Sequence, residues 1–238
     1  MKTRIISDTG SVYWNMALDE ALLEYAIKKG EAIIRLYTWK KPGITIGFFQ
    51  RVSDVINIEE ARRKGIEYTR RITGGGTVIH SDEYTYTVIM PAKNSIAKSY
   101  EEICGCIVKA LRDLRINAIF QPINDIAVNG LKISGSAQTR RDGWLLQHGT
   151  LLLNTNRELM QKVLRIPREK IGKYGKRLVI GVEEIKNVNR NKLRELLIEK
   201  FSEGLRLEIN SEGIPLEVEG TTRKLEEKYK SKEWINMR

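Results

Sequence analysis

Two periodicities divide this chain into elements. Over residues 14–29, Met16, Leu18, Ala21, Leu22, Tyr25 and Ala26 fall largely on one helical face, and Gly30 supplies a C-cap. Residues 32–38 and 44–49 follow strand patterns around the turn Lys40-Lys41-Pro42-Gly43. A short helix is predicted over 57–64, and Glu67–Arg71 reads as a strand entering a glycine loop. Residues 84–90 alternate as Tyr-Thr-Tyr-Thr-Val-Ile-Met and stop at Pro91, and Ser99–Leu114 forms a second long helix. Three strand-like pieces follow at 125–129, 131–134 and 144–153, the first two joined by Asn129-Gly130, which suits a tight primed turn. Helices are predicted over 155–164, 190–203 and 221–230. Long helices among antiparallel-looking strands argue for an α+β fold. The polar, basic, glycine-punctuated stretch 166–189 is either a loop beside the substrate or a surface connection.

With 238 residues, 41% of them apolar, the chain can bury a sizeable core within one domain. No apolar run is long enough to cross a bilayer. Met1–Asp8 has no uninterrupted apolar stretch like that of a signal peptide, so a cytoplasmic protein without membrane contact is expected. The two cysteines, Cys104 and Cys106, stand two apart in a helix and do not face each other; buried thiols are the simpler reading. Only two histidines, His80 and His148, accompany them, a poor zinc set, and no metal ligands are assigned. A net charge of +11 attracts polyanions without choosing among nucleic acid, acidic proteins and nucleotides.

Chemistry concentrates in three stretches. The first is Arg70-Arg71-Ile72-Thr73-Gly74-Gly75-Gly76-Thr77-Val78-Ile79-His80. Consecutive glycines cost backbone entropy, but they let a ligand lie directly against exposed N–H groups. Two preceding arginines add donors suited to phosphate or carboxylate. A purely architectural β-turn is the alternative, and the Gly-Lys-Ser/Thr ending of a P-loop is missing. The second stretch holds Lys132 between apolar Leu131 and Ile133, so its side chain points opposite to theirs. It is either a solvent-facing strand lysine or a reactive one. The small residues Ser134, Gly135, Ser136 and Ala137 leave an open floor beside it, and Asp125 lies across the hairpin, facing the same floor or capping the strand entrance. The third is His148-Gly149-Thr150-Leu151-Leu152, where the histidine is a packing residue or a ligand contact.

Taken together, Arg-Arg-x-Thr-Gly-Gly-Gly-x-Val-x-His at 70–80, Asn-Asp-Ile at 124–126, Lys-Ile-Ser-Gly-Ser-Ala-Gln at 132–138 and His-Gly-Thr-Leu-Leu at 148–152 closely resemble the lipoate–protein ligase A family. That family sits within the larger group of biotin ligases and lipoyl/octanoyl transferases. Weaker agreement runs from Asn15 through Trp39, so the resemblance covers most of residues 12–165. It implies a central mixed, largely antiparallel sheet flanked by helices. It also implies ATP-dependent activation of lipoate to lipoyl-AMP, then transfer to an acceptor lysine, with ATP and Mg²⁺ bound. Carried over by position, Lys132 would be catalytic. Trp39, Arg71, Thr73, Gly74, Gly75, Gly76, Thr77, Val78, Ile79, His80, Asp125, Ser134, Gly135, Ala137 and His148 would bind substrate or nucleotide. Implied acceptors are the lipoyl domains of 2-oxoacid dehydrogenases and the glycine cleavage H protein.

Two departures stand out. After His80 the chain runs Ser81-Asp82-Glu83-Tyr84-Thr85, shorter than the family pattern and without its glycine, so ligand contacts from this turn are not carried over. Many family members also carry an accessory C-terminal domain of roughly 80–100 residues. Here residues 1–238 read as the catalytic domain alone, so a separate accessory-domain protein is an expected partner.

The nearest rival is an ATP-independent lipoyl or octanoyl transferase, of the kind that uses a cysteine thiolate. Residues 120–124 lack a cysteine where such enzymes would have one. A biotin ligase would show a Gly-Arg-Gly-Arg type loop in place of the triple glycine. A nucleic-acid binder would account for the charge, but no RRM, KH, zinc-finger or helix-turn-helix signature accompanies it, so no nucleic-acid partner is expected.

Overall fold

The computed structural model describes residues 1–165 and 179–238. Its main sheet has eight strands in the order β11-β1-β2-β6-β10-β9-β8-β7. These are β1 (Lys2–Gly10), β2 (Ala32–Trp39), β6 (Glu83–Pro91), β7 (Ile119–Gln121), β8 (Asp125–Val128), β9 (Leu131–Arg141), β10 (Trp144–Leu152) and β11 (Glu208–Glu212). β1 pairs in parallel with β2 and β11, and every other neighbour is antiparallel. A three-stranded sheet, β4 (Glu67–Arg70), β3 (Gly43–Ile46) and β5 (Val78–His80), stands beside it. The expected α+β class, with a mixed and mostly antiparallel sheet flanked by helices, is the one observed.

The main sheet is covered on both faces, and strand alternation decides which residue faces which layer. Ile33 on β2, Ile89 on β6 and Leu146 on β10 form one cross-strand rank. They pack against Leu18 and Leu22 of α1 (Val12–Lys29) and Val218 of α7 (Leu216–Lys230). One residue along, Ile34 and Val88 turn to the opposite face, toward Ile103 and Ile107 of α4 (Ile96–Asp113) and Leu197 and Phe201 of α6 (Arg190–Leu205). Shorter helices α2 (Val52–Val55), α3 (Ile58–Arg63) and α5 (Arg157–Val163) close the small sheet around Ile44, Ile46 and Ile56. α8 (Lys232–Ile235) adds Ile235 to that cluster.

Helix ends follow the local chemistry. Ser11 caps α1 by accepting from Trp14 N–H, and Gly30 ends it with φ 65°. Asn129 and Gly130 both have positive φ, as a primed hairpin turn requires. Several boundaries differ from the periodicity. β9 continues to Arg141, where Asp142 and Gly143 form a second positive-φ turn of the same kind. β3 stops at Ile46 rather than 49, and α7 begins at Leu216. β1, β7 and β11 are additional strands; β11 lies at the exposed sheet edge, where no apolar alternation is needed. Of the basic stretch 166–189, residues 166–178 lie outside the described residues. Val179 bridges Lys132, and Ile180 N–H donates to the Lys132 carbonyl at 3.0 Å.

Phe201 is fully buried, with its ring 5.3 Å from that of Tyr86. Phe201→Ala should cost about 3–5 kcal/mol, read as a lower urea midpoint with the slope unchanged.

Candidate active site

Sheet register brings the three motif stretches together. The rank after Ile34 runs Arg35–Thr87–His148–Ala137 across β2, β6, β10 and β9, facing α1. Gly135 and Ala137 share this face. An added Cβ on Gly135 would lie 2.7 Å from both Cε and Nζ of Lys132, so the lysine side chain occupies the room that the missing Cβ leaves. The Lys132 ammonium sits 2.6 Å from Asp125 Oδ1, an ion pair not aligned as a hydrogen bond, with both side chains partly exposed. Of the small residues read from the sequence as an open floor, Gly135 and Ala137 face this side with Lys132 and Asp125, whereas Ser136 turns to the opposite face and bonds Tyr86, and Ser134 is buried.

The glycine loop approaches from the small sheet. Gly75 has φ 91°, and an added Cβ there would meet Ala137 Cβ at 3.8 Å, which places the loop over β9. The same loop rests on Gly47, where a Cβ would fall 2.0 Å from the Gly75 carbonyl oxygen. Phe48 N–H donates to the Thr73 carbonyl, and the Thr77 hydroxyl donates to Gln50 Oε1 at 3.0 Å. Val78 is half-buried; Ile79 is buried in the core of the small sheet instead of lining the floor.

Arg71 holds the loop from beneath. Its NH2 group donates to the carbonyls of Gly74 and Gly76, each at 2.7 Å, and Nε donates to Thr73 Oγ1 at 2.9 Å. Among the described residues no carboxylate pairs with it. Burial pushes its pKa down to about 10. Arg70 points the other way and donates to carbonyls of Phe48, Gln50 and Ile235, tying α8 to the loop before α2.

Two buried histidines flank this arginine. His148 Nδ1 lies 2.9 Å from Asp19 Oδ2, and Nε2 lies 2.8 Å from Thr73 Oγ1. Burial lowers the His148 pKa against the pull of Asp19, so the ring is neutral at neutral pH. Burial alone would raise Asp19, but Arg35 and His148 outweigh it and hold the carboxyl below its usual range. His80 Nδ1 lies 2.7 Å from Glu83 Oε1, and Nε2 lies 2.8 Å from Thr45 Oγ1. Trp39 stacks on the His80 ring at 3.8 Å and donates Nε1–H to Glu83. Trp39, His80 and His148 thus belong to a buried polar layer. Ser134 is also buried, its Oγ without a partner.

The thiols lie on the other side of the sheet. Cys104 is fully buried on α4, 3.5 Å from Ser136 Oγ, which accepts from or donates to Tyr86 at 2.8 Å. Burial pushes Cys104 up, and Cys106 up to about 12. Among the described residues no three His, Cys, Asp or Glu side chains are grouped to hold a metal ion. No described helix is long and apolar enough to cross a membrane.

Residues 11–209 match the family model of the lipoyl protein ligase A/B catalytic domain. The chain belongs to that family. It is 31% identical to the octanoyltransferase LipM of Kyrpidia tusciae, with 94% of each chain covered. It is also similar to a bi-partite lipoate protein ligase from Thermoplasma acidophilum, at 27% identity and a TM-score of 0.89, covering 99% of this chain and 96% of that one. A Thermoplasma acidophilum protein with bound lipoic acid aligns over 100% of both chains at 26% identity and a TM-score of 0.86. The family expectation holds, and with it an enzyme of protein lipoylation. The ATP-dependent ligase reaction does not hold: the relatives matched along nearly the whole chain at 30% identity or more are octanoyltransferases. With it go lipoyl-AMP, ATP and Mg²⁺ as expectations for this family member.

Sequence reasoning missed Asp19, Thr45, Gly47 and Glu83. Asp19 carried a signal, an acid among the apolar positions of α1; Gly47 carried one too, a glycine ending the strand run Ile44-Thr45-Ile46. Gly47→Ala should leave the protein folded but displace the glycine loop, with a loss of about a hundredfold in kcat/KM for acyl transfer. Steady-state kinetics alongside a circular dichroism melt would check this.

Proposed function

We propose that this protein moves an octanoyl or lipoyl group from a donor carrier to a lysine of an acceptor lipoyl domain, without ATP. The observation that carries this is the partly exposed Lys132–Asp125 pair beside Gly135, with the glycine loop lying against Ala137 of the same strand. Its likeness to octanoyltransferases supports the choice of reaction. The lipoic acid held by a structural relative supports a site of medium-chain acyl size. Lipoyl domains of 2-oxoacid dehydrogenases and the glycine cleavage H protein are the acceptors that fit this chemistry.

In the reaction, the acceptor amine attacks the thioester carbonyl carbon; the C–N bond forms and the C–S bond breaks. Negative charge develops on the carbonyl oxygen, and the Lys132 ammonium donates to it there. Asp125, beside that ammonium, receives the proton lost by the attacking amine and returns it to the departing thiolate. The glycine loop shields the acyl carbon from water, which would otherwise compete with the amine. Neither cysteine serves as nucleophile in this scheme, since Cys104 and Lys132 open to opposite faces of the sheet. An accessory subunit, expected for adenylation, has no step to support here.

The test is mass-spectrometric detection of acylated lipoyl domain after incubation with octanoyl-carrier protein and no nucleotide. Modification is expected with the wild type, and a fall of about a hundredfold or more with Lys132→Ala. Cys104→Ser should stay within about threefold of wild type, a change of ~0.6 kcal/mol. Modification seen only with free octanoate or lipoate plus ATP would overturn the reading.

A further inference from the structure

Beneath the glycine loop the two histidines are arranged alike. Each presents Nδ1 to a buried carboxylate and Nε2 to a threonine hydroxyl: Asp19, His148 and Thr73 in one set, Glu83, His80 and Thr45 in the other. A carboxylate accepts only, so each Nδ1 carries a hydrogen, and a ring holding that single hydrogen leaves Nε2 to accept. Each threonine then gives its hydroxyl hydrogen to histidine and turns its lone pairs toward Arg71. Arg71 Nε reaches Thr73 Oγ1 at 2.9 Å; NH1 reaches Thr45 O at 3.3 Å and Thr45 Oγ1 at 3.4 Å. The free edge of the same guanidinium holds Gly74 and Gly76 by their carbonyls. Asp19 is itself fixed by Arg35 at 2.6 Å and by the Thr87 hydroxyl, and Glu83 Oε1 by Trp39 and Thr85.

The geometry points to a pair of positioning relays, Asp19–His148–Thr73 and Glu83–His80–Thr45, that aim the Arg71 guanidinium and through it set the glycine loop to receive the acyl chain. None of these residues touches the reacting atoms. Among the described residues no counter-ion fixes the orientation of this guanidinium, so the threonine lone pairs supply the direction. The guanidinium only donates, so each threonine offers it a lone pair, and the histidine acceptor takes the buried hydroxyl hydrogen that would otherwise lack a partner.

This reversal predicts acid sensitivity. His148 is faced by Asp19 from α1, Arg71 from the loop after β4 and His80 from β5; Arg35 and Tyr37 of β2 bond to Asp19, and Glu83 of β6 to His80. When His148 gains a proton, Nε2 becomes a donor to Thr73, the threonine hydrogen loses its acceptor, and two cations face each other. The folded pKa lies below the ordinary histidine value. The ordered loop is therefore complete above that value and is lost as pH falls beneath it.

The identity of the acyl ligand rests on the proposed function, so the experiment reads the loop and binding and leaves turnover aside. Backbone amide hydrogen exchange at Gly74–Gly76 would be followed by NMR in wild type, Thr73→Val, Thr45→Val, Thr73→Ser and Thr45→Ser. Binding of octanamide, whose charge is constant with pH, would be titrated alongside. The valine variants are expected to speed loop exchange by about tenfold each while leaving β6 and β10 protected, and to weaken octanamide by a similar factor. The serine variants keep the hydroxyl and should behave like wild type. Wild-type affinity should fall below the ordinary histidine range, and His148→Gln should flatten that limb. Unchanged loop exchange in both valine variants would overturn the inference, as would serine variants matching the valines. A protein that fails ATP-free transfer yet shows these changes would overturn only the proposed reaction.

Discussion

The buried Arg71 guanidinium meets no carboxylate among the described residues, and it finds its partners among the neutral dipoles of the loop it supports. Desolvating such a cation is costly, and the carbonyls of Gly74 and Gly76 with the hydroxyls of Thr45 and Thr73 offset that cost. The loop has little side chain of its own with which to hold a shape. Its conformation is therefore held from below by Arg71 and from the side by Phe48, Gln50 and Gly47, where any Cβ would collide with Gly75 O. The buried histidines and carboxylates extend that support into α1, β2 and β6.

The two-faced sheet makes the arrangement possible. Residues two apart on β2, β6 and β10 share a face, so along one side of the sheet an apolar rank can be followed by a polar one. Ile33, Ile89 and Leu146 bind α1, while Arg35, Thr87 and His148 meet Asn15 and Asp19 of the same helix. Apolar burial on one stretch of α1 anchors the helix, and the neighbouring stretch can then hold charge in a fixed place. The reverse face carries Cys104, Tyr86, Ser136 and Gln147, a separate hydrogen-bonded group under α4. That separation keeps the thiols away from the lysine.

Lys132 differs from this buried layer by remaining partly open. Gly135 gives its side chain room, Asp125 gives it a charge partner, and the Val179–Ile180 segment pairs with its backbone. An ammonium so placed can meet a developing oxyanion without first being freed from a rigid network. The rigid parts lie one layer below, where they define the loop and not the chemistry.

Sequence alone determined the helices with strong periodicity, the α+β class, and the family, because those rest on local pattern and on motifs with fixed internal spacing. It also placed Asp125 beside Lys132, since adjacency across a tight Asn-Gly hairpin is itself local. It led to the wrong reaction: an ATP-dependent ligase was inferred from motifs shared by the family's ligases and transferases, which therefore do not distinguish them. Tertiary structure alone decided that Trp39, His80 and His148 lie in a buried polar layer, and that Asp19, Thr45 and Glu83 pair with them. Those residues are separated by tens of positions, and their pairing depends on strand register and on a helix docking against one face. A local pattern carries no information about either.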